Sequence, residues 1–275
     1  MDPVLRPSES PPFDSRPIKI IRASQSLGEL VRGGISLLFQ NKHLIFEMTL
    51  LRLKVRYRQS ILGWAWAIIP PLLLTVTYAV IFGKVMHLSS GDMPYGLFVF
   101  AGLVPWTFLS TSVSNATSGM VQHRYLISRV AFPREVIPAS YVATALVDLG
   151  VSSLMLLAMM VYYGVSLTGT AVYVIPILGV LVICTTAIAL CFSAIQARVR
   201  DLGIAMPLLL QILMFTTPIV YPSDIVPNAV RGLYFMNPLA ILVEAFRQAA
   251  VQGVCPDVGR MLYSAIISSI ILALA

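Results

Sequence analysis

The stretch "VIPASYVATALVDLGVSSLMLLAMMVYYGVSLTGTAVYVIPILGVLVICTTAIALCFSAIQA", Val136 to Ala197, decides the fold: its only charged side chain is Asp148. A helix crossing a bilayer needs about 20 apolar residues. The stretch is long enough for two crossings, and Gly164, Ser166, Thr168 and Gly169 supply a turn between them. Outward from it, Gln59–Gly83, Met93–Val121 and Leu202–Ser223 carry no charge at all, and the chain closes on the apolar run Met261–Ala275. Of 275 residues, 57% are hydrophobic and 11% charged, whereas a soluble domain carries about 25% charged residues. That leaves too little polar surface to face water, and helix-length segments exclude the alternation of a membrane β-barrel. The expectation is an all-α integral membrane protein. Six spans are placed at about 62–83, 95–121, 137–163, 172–196, 202–221 and 261–275. The last is shorter than a crossing needs and reads as a chain cut inside its final helix.

The basic residues set the orientation. Of 19 Lys and Arg, fifteen fall in the region before span 1, the 2–3 loop (Arg124, Arg129, Arg134) and the 4–5 loop (Arg198, Arg200). Lys84, Arg231, Arg247 and Arg260 are left for the other side. The positive-inside rule then puts the N-terminus and both basic loops in the cytoplasm. The net charge of +7 is thus an orientation signal; without a basic stripe interleaved with aromatics it does not indicate nucleic acid. Residues 1–24 are polar and Pro/Ser-rich, lack an apolar signal core and read as a disordered tail; 25–275 form one membrane domain. Cys184, Cys191 and Cys255 make no disulfide framework.

Before span 1, residues 43–58 read as an interface helix: Leu44, Met48, Leu51 and Val55 share a face, with Arg52 and Lys54 snorkelling at its edges. Arg52, Lys54, Arg56 and Arg58 also alternate with the period of a strand, but a strand here would have no partner. Pro70 and Pro71 predict a kink near Trp66. The Ser/Thr/Asn/Gly-rich run Ser110–Gly119 either packs helices closely or faces a polar cavity.

The segment between spans 5 and 6 is too long for a turn and too apolar for a solvated loop. "MNPLAILVEAFRQAAVQG", Met236 to Gly253, opens with Asn237 as N-cap and Pro238 at the first helical position. It is too short to cross with Glu244 and Arg247 inside it. The expectation is a re-entrant helix, which survives at membrane depth only when buried in protein or lining a water-filled path. Glu244 and Arg247, three apart, form either an exposed pair of little worth or a polar contact that steers this element.

Catalysis is disfavoured because the twelve acids are scattered, and His43, His87 and His123 lack ligand spacing, so no metal site is expected. Asp148 alone lies well inside a span: it is a helix–helix hydrogen-bonding group or a functional carboxylate. With no second intramembrane titratable group, proton coupling is disfavoured. No GxxxxGK[ST] phosphate loop occurs, so any ATP-driven motor must be another chain.

Taken in order, "VRYRQSILGWAWAIIPPLL" (Val55 to Leu73), "SRVAFPREVIPAS" (Ser128 to Ser140), "VRDLG" (Val199 to Gly203), "TTPIVYPSDIVP" (Thr216 to Pro227) and the Met236–Gly253 motif resemble the membrane subunit of bacterial type-2 ABC exporters. The resemblance is strongest to exporters of O-antigen, capsule and teichoic-acid polysaccharides, and covers about residues 40–260. It implies a permease of the inner membrane that pairs with a second copy and two ATP-binding cassette subunits. ATP and Mg would be bound by those partners, with no cofactor in this chain. The implied cargo is a lipid-linked polysaccharide. The 2–3 segment 123–133 resembles a helix that couples to the ATPase, naming His123, Arg124, Tyr125, Leu126, Arg129, Phe132 and Pro133, with Arg134 beside it. Segment 222–253 resembles a periplasmic gate, naming Pro222, Pro227, Asn237, Pro238, Glu244 and Arg247. Rings suit a sliding polymer because sugars stack on them in any register. Tyr57, Tyr78, Trp106, Phe108, Phe215, Tyr221, Tyr234 and Phe235 are the channel candidates, although each could equally be a core or belt ring. The rival readings are the same fold exporting a drug or lipid, and an integral-membrane enzyme of lipid-linked glycan synthesis.

Overall fold

The structure is a computed structural model described over residues 40–58, 63–88, 91, 93–123, 133–199, 201–227, 231–232 and 234–275. The tail 1–24, coupling residues Arg124, Tyr125, Leu126, Arg129 and Phe132, and the side chain of Tyr57 lie outside that description. Among the described residues the regular structure is entirely helical. Helix α1 is Lys42–Arg58. A 3-10 turn, Gly63–Ala67, leads into α2, Ile69–Tyr78, which runs on as a π-helical turn to Val85. Then follow α3 (Tyr95–Gln122), α4 (Val136–Tyr162), α5 (Val174–Arg198), α6 (Leu202–Phe215), α7 (Pro238–Arg247, extended by a π-helical turn to Gln252) and α8 (Val258–Leu274).

Among the described residues, four helical stretches are long and apolar enough to cross a membrane: Ala65–Val85, Tyr95–Gln122, Val136–Tyr162 and Gly169–Arg198. The chain is a multi-pass membrane protein. Helices α3, α4 and α5 overlap the stretches read as spans 2, 3 and 4. Span 5 is shorter than expected: α6 stops at Phe215, and its 14 residues reach about 21 Å, short of the roughly 30 Å hydrocarbon core. The reason is local. Pro218 has no N–H to continue the ladder, and the orphan carbonyls find side-chain donors: Thr217 Oγ1 reaches Leu213 O at 2.7 Å, and Tyr221 Oη reaches Phe215 O at 2.7 Å. Pro70 and Pro71 likewise do not kink a helix. They occupy the first turn of α2, where a missing N–H costs nothing, and the chain before them winds as the 3-10 turn.

Helix α3 is the centre of the bundle. Leu97 to Trp106, Phe108 and Leu109 are all buried, and α2, α4, α5, α6 and α7 pack on it. Within the Ser110–Gly119 run, Ser112, Thr117 and Gly119 are buried and Thr117 Oγ1 donates to Val113 O, so these small residues serve close helix packing. Helix α8 lies on α5 and α7 through buried Ser264 and Ser268, small side chains that let backbones approach in a bilayer.

Candidate functional site

The element between spans 5 and 6 is built on α7. Asn237 caps it, its side chain accepting from Leu239 N at 3.0 Å, and Pro238 follows at the first position. Gly253 ends the π-helical extension at φ +68°, a left-handed conformation that favours glycine. Between these ends Leu239 to Val243, Ala245, Phe246 and Arg247 are buried.

The exposed-pair reading of Glu244 and Arg247 is overturned. The Arg247 side chain is 0% exposed and that of Glu244 13%. Arg247 pairs with Glu244, donates through Nη1 to Pro218 O at 2.7 Å, and lies 3.9 Å over the Phe98 ring. Glu244 Oε1 accepts from Ser223 Oγ and Gln248 Nε2, each at 3.3 Å. Tyr95 Oη donates to Val220 O. The broken chain at Thr217, Ile219 and Val220 is buried against Gly102, where an added Cβ would meet Ile219 O at 3.1 Å. One guanidinium thus ties α7, the irregular end of span 5 and α3 together, and irregular backbone is covered as membrane depth demands.

The candidate rings divide into two groups. Trp106 and Phe108 are buried in the hydrophobic core, so they pack the bundle and do not line a path; two residues apart, they point to different sides of α3, which is covered all round there. Tyr78 is partly buried, tilted against Phe82 at 6.0 Å, with its hydroxyl 3.9 Å from Met214 Sδ. Phe215, Tyr221, Tyr234 and Phe235 come together at the outer end. Tyr221 reaches back to Phe215 O, its ring lies 6.5 Å from Tyr234, and Tyr234 meets Phe235 edge-on at 5.4 Å. Arg260 covers Phe235 at 4.2 Å. A cavity of about 250 Å³ opens beside this cluster, lined among others by Phe235, Glu244, Gln248, Asp257 and Arg260. Pro222 and Pro227 flank the short 3-10 turn Ser223–Ile225.

At the inner end, segment 123–133 is described only at His123 and Pro133, with Arg134 following. Burial, and the Arg52 guanidinium nearby, hold the His123 imidazole below its usual range. Helix α1 does form, and it packs on a helix that the sequence did not point to. Leu51 and Val55 are 60% and 65% exposed, while the polar face packs on α4. Thr49 Oγ1 donates to Ser140 O, Arg52 Nε to Ser140 Oγ, and Arg56 Nη1 to Asp148 Oδ2. Asp148 therefore has a cationic partner, supplied from outside the spans. From the sequence, Arg52 stood at the edge of the apolar stripe and Arg56 only in the period-two run, with no role given to Ser140 or Tyr141. The spacing of four between the two arginines, which puts them on one helix face, was the available signal.

By its fold the chain is a multi-pass helical bundle with a buried, broken element between α6 and α8. The sequence profile of the ABC-2 type transporter family matches residues 43–251. Over 203 residues the chain is 32% identical to the O-antigen export system permease protein RfbA of Klebsiella pneumoniae, covering 74% of this chain and 78% of that protein. It is 31% identical to the protein of the same name from Myxococcus xanthus, covering 86% and 90%. The polysialic acid transport protein KpsM of Escherichia coli is 26% identical, over 78% of this chain and 84% of its own. The chain belongs to the ABC-2 type transporter family, as the membrane-embedded transport subunit.

Proposed function

We propose that this chain forms, with a second copy of itself, the membrane channel of an ATP-driven exporter that moves a lipid-linked polysaccharide, O-antigen or similar, across the bacterial inner membrane. Its N-terminus and the 2–3 and 4–5 loops face the cytoplasm. Two ATPase subunits bind ATP and Mg and dock beneath, on the segment 123–133 and Arg134. The observation that carries this reading is the similarity to O-antigen export permeases along most of the chain.

The chemistry of the outer end supports it. Phe215, Tyr221, Tyr234 and Phe235 offer faces on which sugar rings stack in any register, while Glu244, Gln248, Asp257 and Arg260 offer hydroxyl partners around the adjacent cavity. Segment 222–253 then serves as the periplasmic gate. Helices α2 and α6 present long apolar faces, Leu73, Val76 and Val80 on one and Ile204, Leu208 and Ile212 on the other, which suit contact with lipid and with a second copy. ATP-driven closure of the partners pushes on segment 123–133, shifts spans 1 and 5, and parts the gate.

Co-expression with a nucleotide-binding ATPase tests the proposal: the two should purify together, with hydrolysis that depends on both. A stable, active complex lacking any ATPase contradicts it.

A further inference from the structure

We propose that α1 and α4 are locked into one mechanical body by a polar clamp. In it Arg52, Arg56, Tyr141 and Asp148 are positioning residues that carry displacement of segment 123–133 to span 1. The inference rests on the export reading above and names the route that reading requires.

The clamp begins where segment 123–133 joins the bundle. His123 ends α3, and Pro133 precedes α4 by three residues. One turn into α4, the edge of the Tyr141 ring abuts Gly119 of the last turns of α3: a Cβ there would fall 2.0 Å from Tyr141 Cε2. The Arg52 guanidinium stacks on Tyr141 at 3.4 Å, a cation over a ring face. Its Nε also donates to Ser140 Oγ at 3.1 Å. The ring thus meets α3 at its edge and α1 at its face, so α1 reads the position of both helices that bound the segment.

The clamp continues along α4. Thr49 Oγ1 and Thr144 Oγ1 donate to the same carbonyl, Ser140 O, at 3.4 and 2.7 Å. Arg56 Nη1 meets Asp148 Oδ2 at 2.6 Å, with side chains 42% and 15% exposed. Contacts that ascend together on both helices mean that α1 runs beside α4 in the same direction. Asp148 lies about 18 Å along α4 from Val136 at 1.5 Å per residue. Two apolar helix faces in lipid part at little cost, because lipid tails are as apolar as leucine. An ion pair and aimed hydrogen bonds fix one register, and separating the pair leaves charges in a medium of low dielectric. The outward face of α1 carries Phe46, Leu51 and Val55 instead, so the fold spends its polar groups on the helix contact. Five residues after Arg58 the chain reaches Gly63 and the turn into α2. Movement of α4 therefore pulls on the start of span 1.

The test uses the full permease with its ATPase partner in vesicles, reading glycan moved per ATP hydrolysed. Arg56→Gln and Asp148→Asn should each leave hydrolysis running and lower that ratio at least about fivefold, the lower end of ordinary coupling free energies. The exchange Arg56→Asp with Asp148→Arg should restore most of it. A disulfide between Thr49→Cys and Thr144→Cys, whose hydroxyls share one carbonyl, should leave transport intact, because the two helices move as one. A merely structural role lowers transport and hydrolysis together, at an unchanged ratio, and overturns the clamp. So does a disulfide that stops transport while hydrolysis continues. A wild-type complex that hydrolyses ATP and moves no glycan overturns the export reading, and the clamp with it.

Discussion

Two ion pairs of this membrane domain differ in what they join. In the element between spans 5 and 6, Glu244 and Arg247 lie one turn apart on a single helix, and the arginine is fully enclosed. Where α1 meets α4, Arg56 and Asp148 come from different helices, 92 residues apart in sequence, and keep part of their surface open. Arg247 has traded its hydration for fixed partners, Glu244, Pro218 O and the Phe98 face, and Glu244 also holds Ser223 and Gln248. The enclosed pair can only be made or broken as a whole, which suits an element held shut. The open pair joins two separate helices into one body, which suits a relay.

Breaking the enclosed pair should have the largest effect. Arg247→Met strands the Glu244 carboxylate, and removing one partner of a buried pair costs about 3–5 kcal/mol. Thermal unfolding in detergent should show a large loss, and Arg247→Met combined with Glu244→Gln a smaller one. A double variant as unstable as the single would mean that the charge is not what matters there. Next comes the wall of the inner stack. Gly119→Ala puts a methyl into the Tyr141 ring, an overpacking that should cost about 1–3 kcal/mol; Tyr141→Ala in the same chain should recover part of it. Asn237→Ala removes the α7 cap and should cost about 1 kcal/mol, seen as faster amide exchange at Leu239 with the rest of the bundle unchanged. The smallest effect is a pH dependence at His123. Its folded pKa lies below the ordinary 6.5, so between the two values the unfolded chain binds more protons. Stability therefore falls as pH drops through 6.5 toward the folded value. His123→Gln should flatten that part of the profile, and an unchanged profile would remove His123 from it.

Much of this could be read from composition. Runs with no charge, or with Asp148 alone, pointed to the helices α3, α4 and α5, because hydrocarbon disfavours charge whatever the packing. Asn237, Pro238 and Gly253 marked the outer helix, because cap chemistry is local. What escaped was set by tertiary contact. The contact of α1 with α4 was not legible, because the amphipathic stripe turns Leu51 and Val55 toward lipid without saying which protein surface takes up Thr49, Arg52 and Arg56. Asp148 looked alone because its partner lies in a segment outside the spans. The enclosure of Arg247 depends on Phe98 and on a carbonyl freed by the break at Pro218, neither of which sits near it in sequence. Trp106 and Phe108 could not be told from channel rings, since periodicity gives a face and not what covers it.

The measurement that bears most directly on the account is translocation. Inside-out vesicles carrying this permease and its ATPase are given a labelled lipid-linked glycan on their outer, cytoplasmic-facing side. The account predicts that label becomes protected from added glycosidase only when ATP is hydrolysed. Glycan that stays fully accessible while ATP drives the movement of a small apolar drug or a free lipid would contradict it.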